Sequence, residues 1–313
     1  MVYRAMRNVV ITLIGAIGFT LTSNAKAQFL MMPDSTNNRM VLFDPVNGAL
    51  LNSSYFALPA STTPVHGMQV GNEIWVSEQL GDRVARYDLT GTFLSQIGGG
   101  PTGGLDNIRG MEQVGNTIYV TNGGAGNTAP SASSVVMFGT TGNSLGFFST
   151  AGLAPSPFGA LEHQGELLVS SSAANNDVHR FKDDGSNVGV FHNSTSLNFG
   201  EQLDHATNGD VLVAGFSTNN VVRLDPNTGA LISAFTASGA RGLHQLGNGN
   251  IMWTSGAGAF VFDVTTQQST LIYAGGGRYL DVLNVPEPAT GIVFAAAISL
   301  LTMRRRVHQH QGR

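Results

Sequence analysis

The sequence predicts an all-β protein: a six-bladed β-propeller, with blades of about 44 residues, between an N-terminal signal helix and a C-terminal transmembrane helix. Three observations predict this organisation. A short apolar strand recurs six times through the middle of the chain, turns rich in glycine and asparagine separate the strands, and each chain end carries an apolar run next to arginines. Glycine accounts for 40 of the 313 residues, which suits many tight turns between short strands.

The N-terminus has the three parts of a secretory signal peptide. Arg4 and Arg7 precede a mostly apolar run from Val9 to Leu21, and the small-residue sequence Ala25-Lys-Ala27 follows it. A short buried helix would explain the apolar run, but neither the charge order nor the cleavage sequence. We therefore expect residues 1–27 to be a signal peptide and the protein to be exported.

The repeated strand contains one central apolar residue, which we call its anchor. Consecutive anchors are 40 to 49 residues apart, the period of a four-stranded propeller blade. Each anchor after the first follows a Gly/Asn turn, and two further apolar strands come after it, separated by a second turn. The six anchors are Met31, Val76, Val120, Val169, Val213 and Trp253. Sustained helical periodicity is absent between Gln28 and Val285, which argues against βαβ folds.

The two ends of the repeat region predict a closed ring. The first copy begins directly at its second strand, at Gln28, while Arg278–Leu283 follows the sixth copy and is typical of a first strand. We expect this segment to complete blade one, so that a domain over 28–284 leaves only short, protected sheet edges. The pattern resembles six-bladed propellers of the NHL, YncE-like and gluconolactonase-like kinds, and this resemblance implies a fold without naming a function.

Charge and cysteine content exclude several classes of function. Residues 28–288 contain nine basic and 20 acidic residues, a formal charge of −11, which would repel a phosphate backbone; we therefore expect no nucleic-acid partner. The chain has no cysteine, so it has no disulfide framework, thiolate metal site or cysteine nucleophile.

Polar residues cluster on the inner strands, which line the central channel of a propeller. We expect arginines and histidines to face Glu201 and Asp204 at one mouth of this channel, an arrangement suited to a polar or anionic small ligand. The alternative is that these groups only pair with one another in a wet channel. The predicted ligand-binding residues are His66, Arg109, Glu201, Asp204, His205, Arg241, His244 and Arg278.

Two functions are compatible with these residues. The first is a surface- or matrix-associated binding or structural protein without cofactor or catalytic residue, whose partner is an extracellular polysaccharide, a surface protein or a small ligand. The second is an exported hydrolase of the lactonase kind, with a divalent ion such as calcium held by Glu201, Asp204 and Asn107. The spacing of these three residues does not by itself favour an ion site.

The C-terminus carries a second targeting pattern. Val285-Pro286-Glu287-Pro288 precedes an apolar stretch from Ala289 to Met303, and three arginines, 304–306, close it. Fifteen apolar residues are short for a span that needs about 20, and the arginines should stay cytoplasmic, leaving the propeller outside. This order resembles the PEP-CTERM sorting signal of Gram-negative bacteria.

The resemblance implies a life cycle for the protein. An exosortase-type membrane protease would process it at Val285–Pro288, after anchoring in the inner membrane, and release it to the cell surface or extracellular matrix. Residues 285–306 would be the sorting signal and anchor, and 307–313 a cytoplasmic tail. The alternative is a plain membrane anchor that is never cut.

Overall fold

The computed structural model describes residues 26–173 and 177–286, whose regular elements are 24 β-strands. Residues 28–285 form one compact unit. Most of the predicted signal peptide lies outside the described residues, as do Glu287, Pro288 and the predicted transmembrane segment. In the two described ranges, no helix is long and apolar enough to cross a membrane.

The strands form six four-stranded sheets, and each sheet is one blade of a propeller. From the channel outwards, blade 1 is β24 (Asp281–Pro286), β1 (Lys26–Asp34), β2 (Arg39–Phe43) and β3 (Leu50–Ala57). Blade 2 is β4 (Pro64–Val70), β5 (Glu73–Glu78), β6 (Arg83–Asp88) and β7 (Phe93–Gly98). Blade 3 is β8 (Ile108–Val114), β9 (Thr117–Asn122), β10 (Ser134–Gly139) and β11 (Ser144–Ser149).

The remaining three blades follow in chain order. Blade 4 is β12 (Pro157–His163), β13 (Glu166–Ser171), β14 (Val178–Phe181) and β15 (Asn187–His192). Blade 5 is β16 (Gly200–His205), β17 (Val211–Gly215), β18 (Asn220–Leu224) and β19 (Leu231–Thr236). Blade 6 is β20 (Gly242–Gln245), β21 (Ile251–Ser255), β22 (Gly258–Asp263) and β23 (Gln268–Ala274). The predicted six-bladed propeller is therefore confirmed.

The hydrophobic core consists of six clusters, one between each pair of neighbouring blades. All six predicted anchors lie in these clusters, and none is more than 4% exposed. Burying both faces of every sheet against the next blade explains why second strands are almost wholly apolar. The apolar surface removed from water between blades is the main stabilisation of the ring.

Tight turns between third and fourth strands bring one blade against the next. Gly91 has φ +87°, and a Cβ there would lie 2.2 Å from the Cβ of Phe56 in blade 1. Gly185 has φ +84° and the same relation to Phe148 of blade 3. Both the backbone conformation and the space require glycine, which accounts for its recurrence in the repeat.

The ring closes as the sequence predicts, but with a shifted strand. β24 pairs with β1, and the Gln69 side chain of blade 2 holds it by accepting from the Asn284 amide at 2.7 Å and donating to the Asn284 carbonyl at 3.0 Å. The strand begins three residues after Arg278 and extends through Pro286. It extends so far because Leu283 is fully buried and Val285 packs on the same cluster. Val285 therefore lies within the compact unit, and β24 ends one residue later at Pro286.

Candidate functional site

The register of the inner strands sorts their side chains into levels along the channel. In blades 2 to 6, one residue of the inner strand pairs with the anchor of the second strand, and these five residues serve as a common reference position. They are Gly67, Met111, Ala160, Leu203 and Leu243. The first level, two residues before the reference position, is Val65, Arg109, Phe158, Glu201 and Arg241. The second level, one residue after the reference position, is Met68, Glu112, Leu161, Asp204 and His244. The first level lies at the beginning of the inner strands and the second nearer their ends, so the two levels lie towards opposite ends of the channel. They form separate charged groups, since Arg241, Arg278 and Arg109 act on Glu201, whereas Asp281, Asp204 and Glu162 act on Glu112.

The first level forms what we call the arginine end: Arg109, Glu201, Arg241, Arg278 and Tyr279. Thr254 of blade 6 links Arg278, which precedes the inner strand of blade 1, to this end. Its Oγ1 accepts from the Gly242 amide at 2.9 Å and donates to the Arg278 carbonyl at 2.6 Å. Three of the nine basic residues between Gln28 and Pro286 therefore meet around one carboxylate.

Arg109 is held rigidly at this end. Its Nη1 donates to the Ser156 carbonyl at 3.1 Å, to Ser156 Oγ at 2.9 Å and to the Pro157 carbonyl at 2.9 Å. Its guanidinium carbon lies 3.7 Å from the ring centroid of Phe158, a cation–π contact. With 6% of its surface exposed, the side chain is fixed before any ligand arrives.

Aromatic rings lie beside Arg241, whereas Arg278 is held by a hydrogen bond. The ring centroids of Phe158 and Phe199 are 4.6 Å apart, those of Phe199 and Phe216 are 5.1 Å apart, and the Arg241 guanidinium lies 5.5 Å from Phe216. Arg278 Nε donates to Ser35 Oγ at 2.9 Å. The arginine end thus combines fixed cations with apolar faces.

Four buried polar atoms at the arginine end have no hydrogen-bond partner among the described residues. They are Arg109 Nε, Arg241 Nε, Glu201 Oε2 and Tyr279 OH. No ion pair within 4.0 Å joins Glu201 to an arginine in the described part of the chain. Native proteins leave few such groups unpaired, so the arginine end has hydrogen-bonding capacity that ordered water or a polar ligand would satisfy.

Burial dominates the electrostatics of this end. It raises the pKa of Glu201 to about 7, although the three arginine charges act in the opposite direction. Burial also lowers the pKa of Arg109 and of Arg278 to about 10, so both remain charged at neutral pH. The end is therefore cationic and poorly solvated, which strengthens its attraction for an anion.

Backbone strain recurs at the same mouth. Four residues that directly precede inner strands are non-glycine residues with φ between 50° and 56°: Thr63, Asn107, Ser156 and Phe199. The carbonyl of each accepts a hydrogen bond from the loop that follows the second strand of its blade. Positive φ is costly for a β-branched or bulky residue and is concentrated at binding sites.

Gln202 crosses the channel between its two ends. Its Oε1 accepts from the amides of Leu243 at 3.0 Å and Leu280 at 2.9 Å, and its Nε2 donates to the Leu280 carbonyl at 2.6 Å. One side chain of blade 5 thereby links blades 6 and 1. Sequence analysis missed both Gln202 and Tyr279, because neither residue type stands out in a polar inner strand.

A cavity of about 130 Å³ in the channel is lined by what we call the acidic end: His66, Glu112, Asp204, His244 and Asp281. Gln202 and Tyr279 line the same cavity, and the ring centroid of Tyr279 lies 5.6 Å from that of His66. His244 Nδ1 donates to Asp204 Oδ2 at 2.7 Å, and His66 Nε2 lies 3.5 Å from Asp281 Oδ2. His66 Nδ1 accepts from the Met111 amide at 3.0 Å, which leaves the proton of a neutral ring on Nε2.

Two side chains of the acidic end have displaced pKa values. Burial, supported by the charges of Asp281 and Asp204, raises the pKa of Glu112 to about 8. Burial acts to lower the pKa of His244, but the hydrogen bond and charge of Asp204 outweigh it, and the net pKa is raised. Asp204 and Asp281 give this end a negative potential that disfavours anions.

The structure divides the predicted ligand-binding residues between two ends of the channel rather than gathering them at one mouth. Arg109, Glu201, Arg241 and Arg278 lie at the arginine end, whereas His66, Asp204 and His244 lie at the acidic end. The physical reason is the strand rise, which separates Glu201 from Asp204 by three residues.

His205 lies at neither end. Its Nε2 is 2.9 Å from Nδ1 of His163, whose Nε2 is 2.6 Å from the Pro226 carbonyl. Burial, followed by the charge of His163, lowers the pKa of His205. The histidine pair joins blades 4 and 5.

The predicted ion site is not assembled either. Glu201 and Asp204 lie at opposite ends, and Asn107 Oδ1 accepts from Gln79 Nε2 at 2.7 Å. Over residues 26–173 and 177–286, no group of three or more His, Cys, Asp or Glu side chains has the geometry to hold a metal ion. Glu201, Asp204 and Asn107 therefore do not form a common ligand set.

Comparisons with known proteins identify the fold. No family model and no curated protein sequence matches this chain. Among solved structures, a nidogen/laminin complex matches with a TM-score of 0.66 and 12% identity, over 82% of this chain and 98% of that chain. A protein of unknown function from Bacteroides caccae matches with a TM-score of 0.59 and 15% identity, over 83% and 99%.

An enzyme shares the same architecture. Selenomethionine-substituted virginiamycin B lyase from Staphylococcus aureus matches with a TM-score of 0.53 and 11% identity, over 75% of this chain and 76% of the lyase. At identities this low, the similarity establishes a six-bladed propeller, and the matched proteins differ in function.

Proposed function

We propose that this chain is an exported, surface- or matrix-associated binding protein whose propeller binds a hydroxylated organic anion at the arginine end. The observation that carries the proposal is the set of four unpartnered buried atoms there, on Arg109, Arg241, Glu201 and Tyr279. Two free guanidinium donors suit a carboxylate or phosphate, because charge-assisted hydrogen bonds to such groups are strong.

The remaining groups of the site favour a ligand that also carries hydroxyls. Glu201 Oε2 and Tyr279 OH are free to pair with them. Phe158, Phe199 and Phe216 offer apolar faces beside the arginines. An acidic sugar of an extracellular polysaccharide has this combination of carboxylate, hydroxyls and a ring. The negative acidic end disfavours the same anion, so binding is directed to one face of the propeller.

The location proposed for this binding protein rests on its two ends. Residues 1–27 direct export, and the segment 285–306 anchors the chain in the inner membrane until an exosortase-type protease acts. Since Val285 and Pro286 form the end of β24, we place the processed bond after Pro286. The mature propeller then lies at the cell surface or in the extracellular matrix.

Calorimetric titration of residues 28–286 with glucuronate, and separately with inorganic phosphate, tests the ligand site. The Arg241→Gln variant should bind the anion about ten- to a hundredfold more weakly, since a charged hydrogen bond is lost. The matched control is Arg223→Gln, whose side chain pairs with Asp210 at 2.7 Å in blade 5, far from the channel. Equal affinity in both variants would refute the site.

A further inference from the structure

The outermost strands of the propeller carry no charge. β3, β7, β11, β15, β19 and β23 together contain no Asp, Glu, Lys or Arg. In the described residues no further strand pairs with their outer sides, so their edge N–H and C=O groups face outward. We call these six strands the rim.

The rim also holds most of the exposed apolar surface. Of 13 large hydrophobic side chains that are exposed in the described residues, ten lie on these strands. They are Leu50, Leu51, Phe93, Leu94, Leu145, Phe147, Val190, Leu231, Ile232 and Leu271. Single exposed apolar residues need no explanation, but their concentration on every blade edge does.

Soluble monomers usually protect sheet edges with lysines, prolines, bulges or inward-pointing charges. Of these devices the rim uses the bulge: the register shifts in every outer strand pair. In blades 2, 3 and 5 the bulge lies next to the turn, and four consecutive positions remain regular, at 95–98 of β7, 146–149 of β11 and 233–236 of β19. Those stretches remain open to another strand.

We propose that the rim is a self-association surface, on which an outer strand of one copy pairs edge to edge with an outer strand of a second copy. A second copy fits because every rim strand lacks charged residues and exposes apolar side chains. Two such strands can therefore pair without electrostatic repulsion between them. The open stretches lie on different blades and point in different directions, so pairing at one leaves others free and extends into a network instead of closing. The arginine end stays unoccupied, and association is independent of ligand binding.

The charge of the faces sets the conditions for assembly. Residues 28–286 contain 19 acidic and nine basic residues, so copies repel one another at low salt. The repulsion reaches only about 10 Å at 0.1 M ionic strength, because counter-ions screen it. Pairing through an uncharged rim should therefore strengthen as salt is added, the opposite of an assembly held by ion pairs.

The absence of cysteine makes the contact directly testable in the full-length chain. Ala234→Cys on β19 and Ser95→Cys on β7 place single thiols on regular rim positions, and Leu80→Cys, in an exposed turn, is the control. Mild oxidation of isolated membranes should give disulfide-linked dimers for the two rim variants, with a higher yield at higher salt, and only a background yield for the control.

A second pair of substitutions tests whether the apolar rim drives the contact. Adding Leu94→Lys and Ile232→Lys to each reporter should abolish most of the dimer, whereas adding Leu80→Lys should not. Circular dichroism and the melting temperature verify that each variant is folded. No rim dimer at any salt concentration, equal cross-linking at Leu80, or a dimer yield unaffected by the rim lysines would each overturn the proposal.

Discussion

His244 of blade 6 donates a hydrogen bond from Nδ1 to Oδ2 of Asp204 of blade 5 at 2.7 Å, and this contact joins two blades at the acidic end. Without it, burial would hold the pKa of His244 below its ordinary value. We therefore expect Asp204→Asn to lower the pKa of His244, as followed by NMR titration of its ring protons. Asp210→Asn, directly before the second strand of blade 5, is the control and should leave that pKa unchanged.

The acidic end also predicts how stability depends on pH. Because the folded pKa of Glu112 is raised to about 8, the folded state holds a proton that the unfolded chain releases near its ordinary pKa of about 4.5. The contribution of Glu112 to the free energy of unfolding is thus greatest below pH 4.5 and falls as the pH rises through 8. Glu201, with its pKa raised to about 7, acts in the same direction.

Glu112→Gln should remove much of this slope between pH 5 and 8, an effect on the order of a few kcal/mol, measured by denaturant unfolding at several pH values. Glu166→Gln is the matched control, because the hydrogen bond from Arg180 lowers the pKa of Glu166 and its contribution belongs to more acidic pH. A slope that survives in Glu112→Gln would contradict the assignment.

Replacing Gln202, an uncharged residue, should lower the stability of the propeller strongly. Gln202→Ala leaves the buried amides of Leu243 and Leu280 without their acceptor and removes a link across three blades. Each unsatisfied buried group costs about 1–3 kcal/mol, so we expect a loss on the order of 3 kcal/mol in the free energy of unfolding. Gln113→Ala, whose exposed side chain bonds only the Gly115 carbonyl, should change it by less than about 0.5 kcal/mol.

The repeat made the fold predictable, whereas the site depended on contacts that no repeat encodes. Val76 and Val120 recur at the blade period because every blade must bury the same position. Gln202 has no such signature, since its partners are backbone groups of blades 6 and 1. The division of Glu201 from Asp204 was within reach of sequence reasoning, because the two residues stand near opposite ends of one inner strand. The end of β24 was not, since Val285 is recognisable as core only from its packing.

The end of β24 makes a prediction about both stability and processing. Truncation after Leu280 removes the whole strand and should abolish the cooperative unfolding of the ring, because blade 1 loses its inner edge. Truncation after Asn284 removes only Val285 and Pro286, and the lost packing of Val285 should cost about 1 kcal/mol relative to a chain ending at Pro286. Thermal unfolding of the three proteins measures this order.

A cut after Pro286 leaves the whole of β24 in the ring, so intact-mass analysis of the surface fraction should find a species ending near residue 288. A mature species ending before Val285, or one extending to Arg313 in a host that has the protease, would contradict this relation between blade and tail.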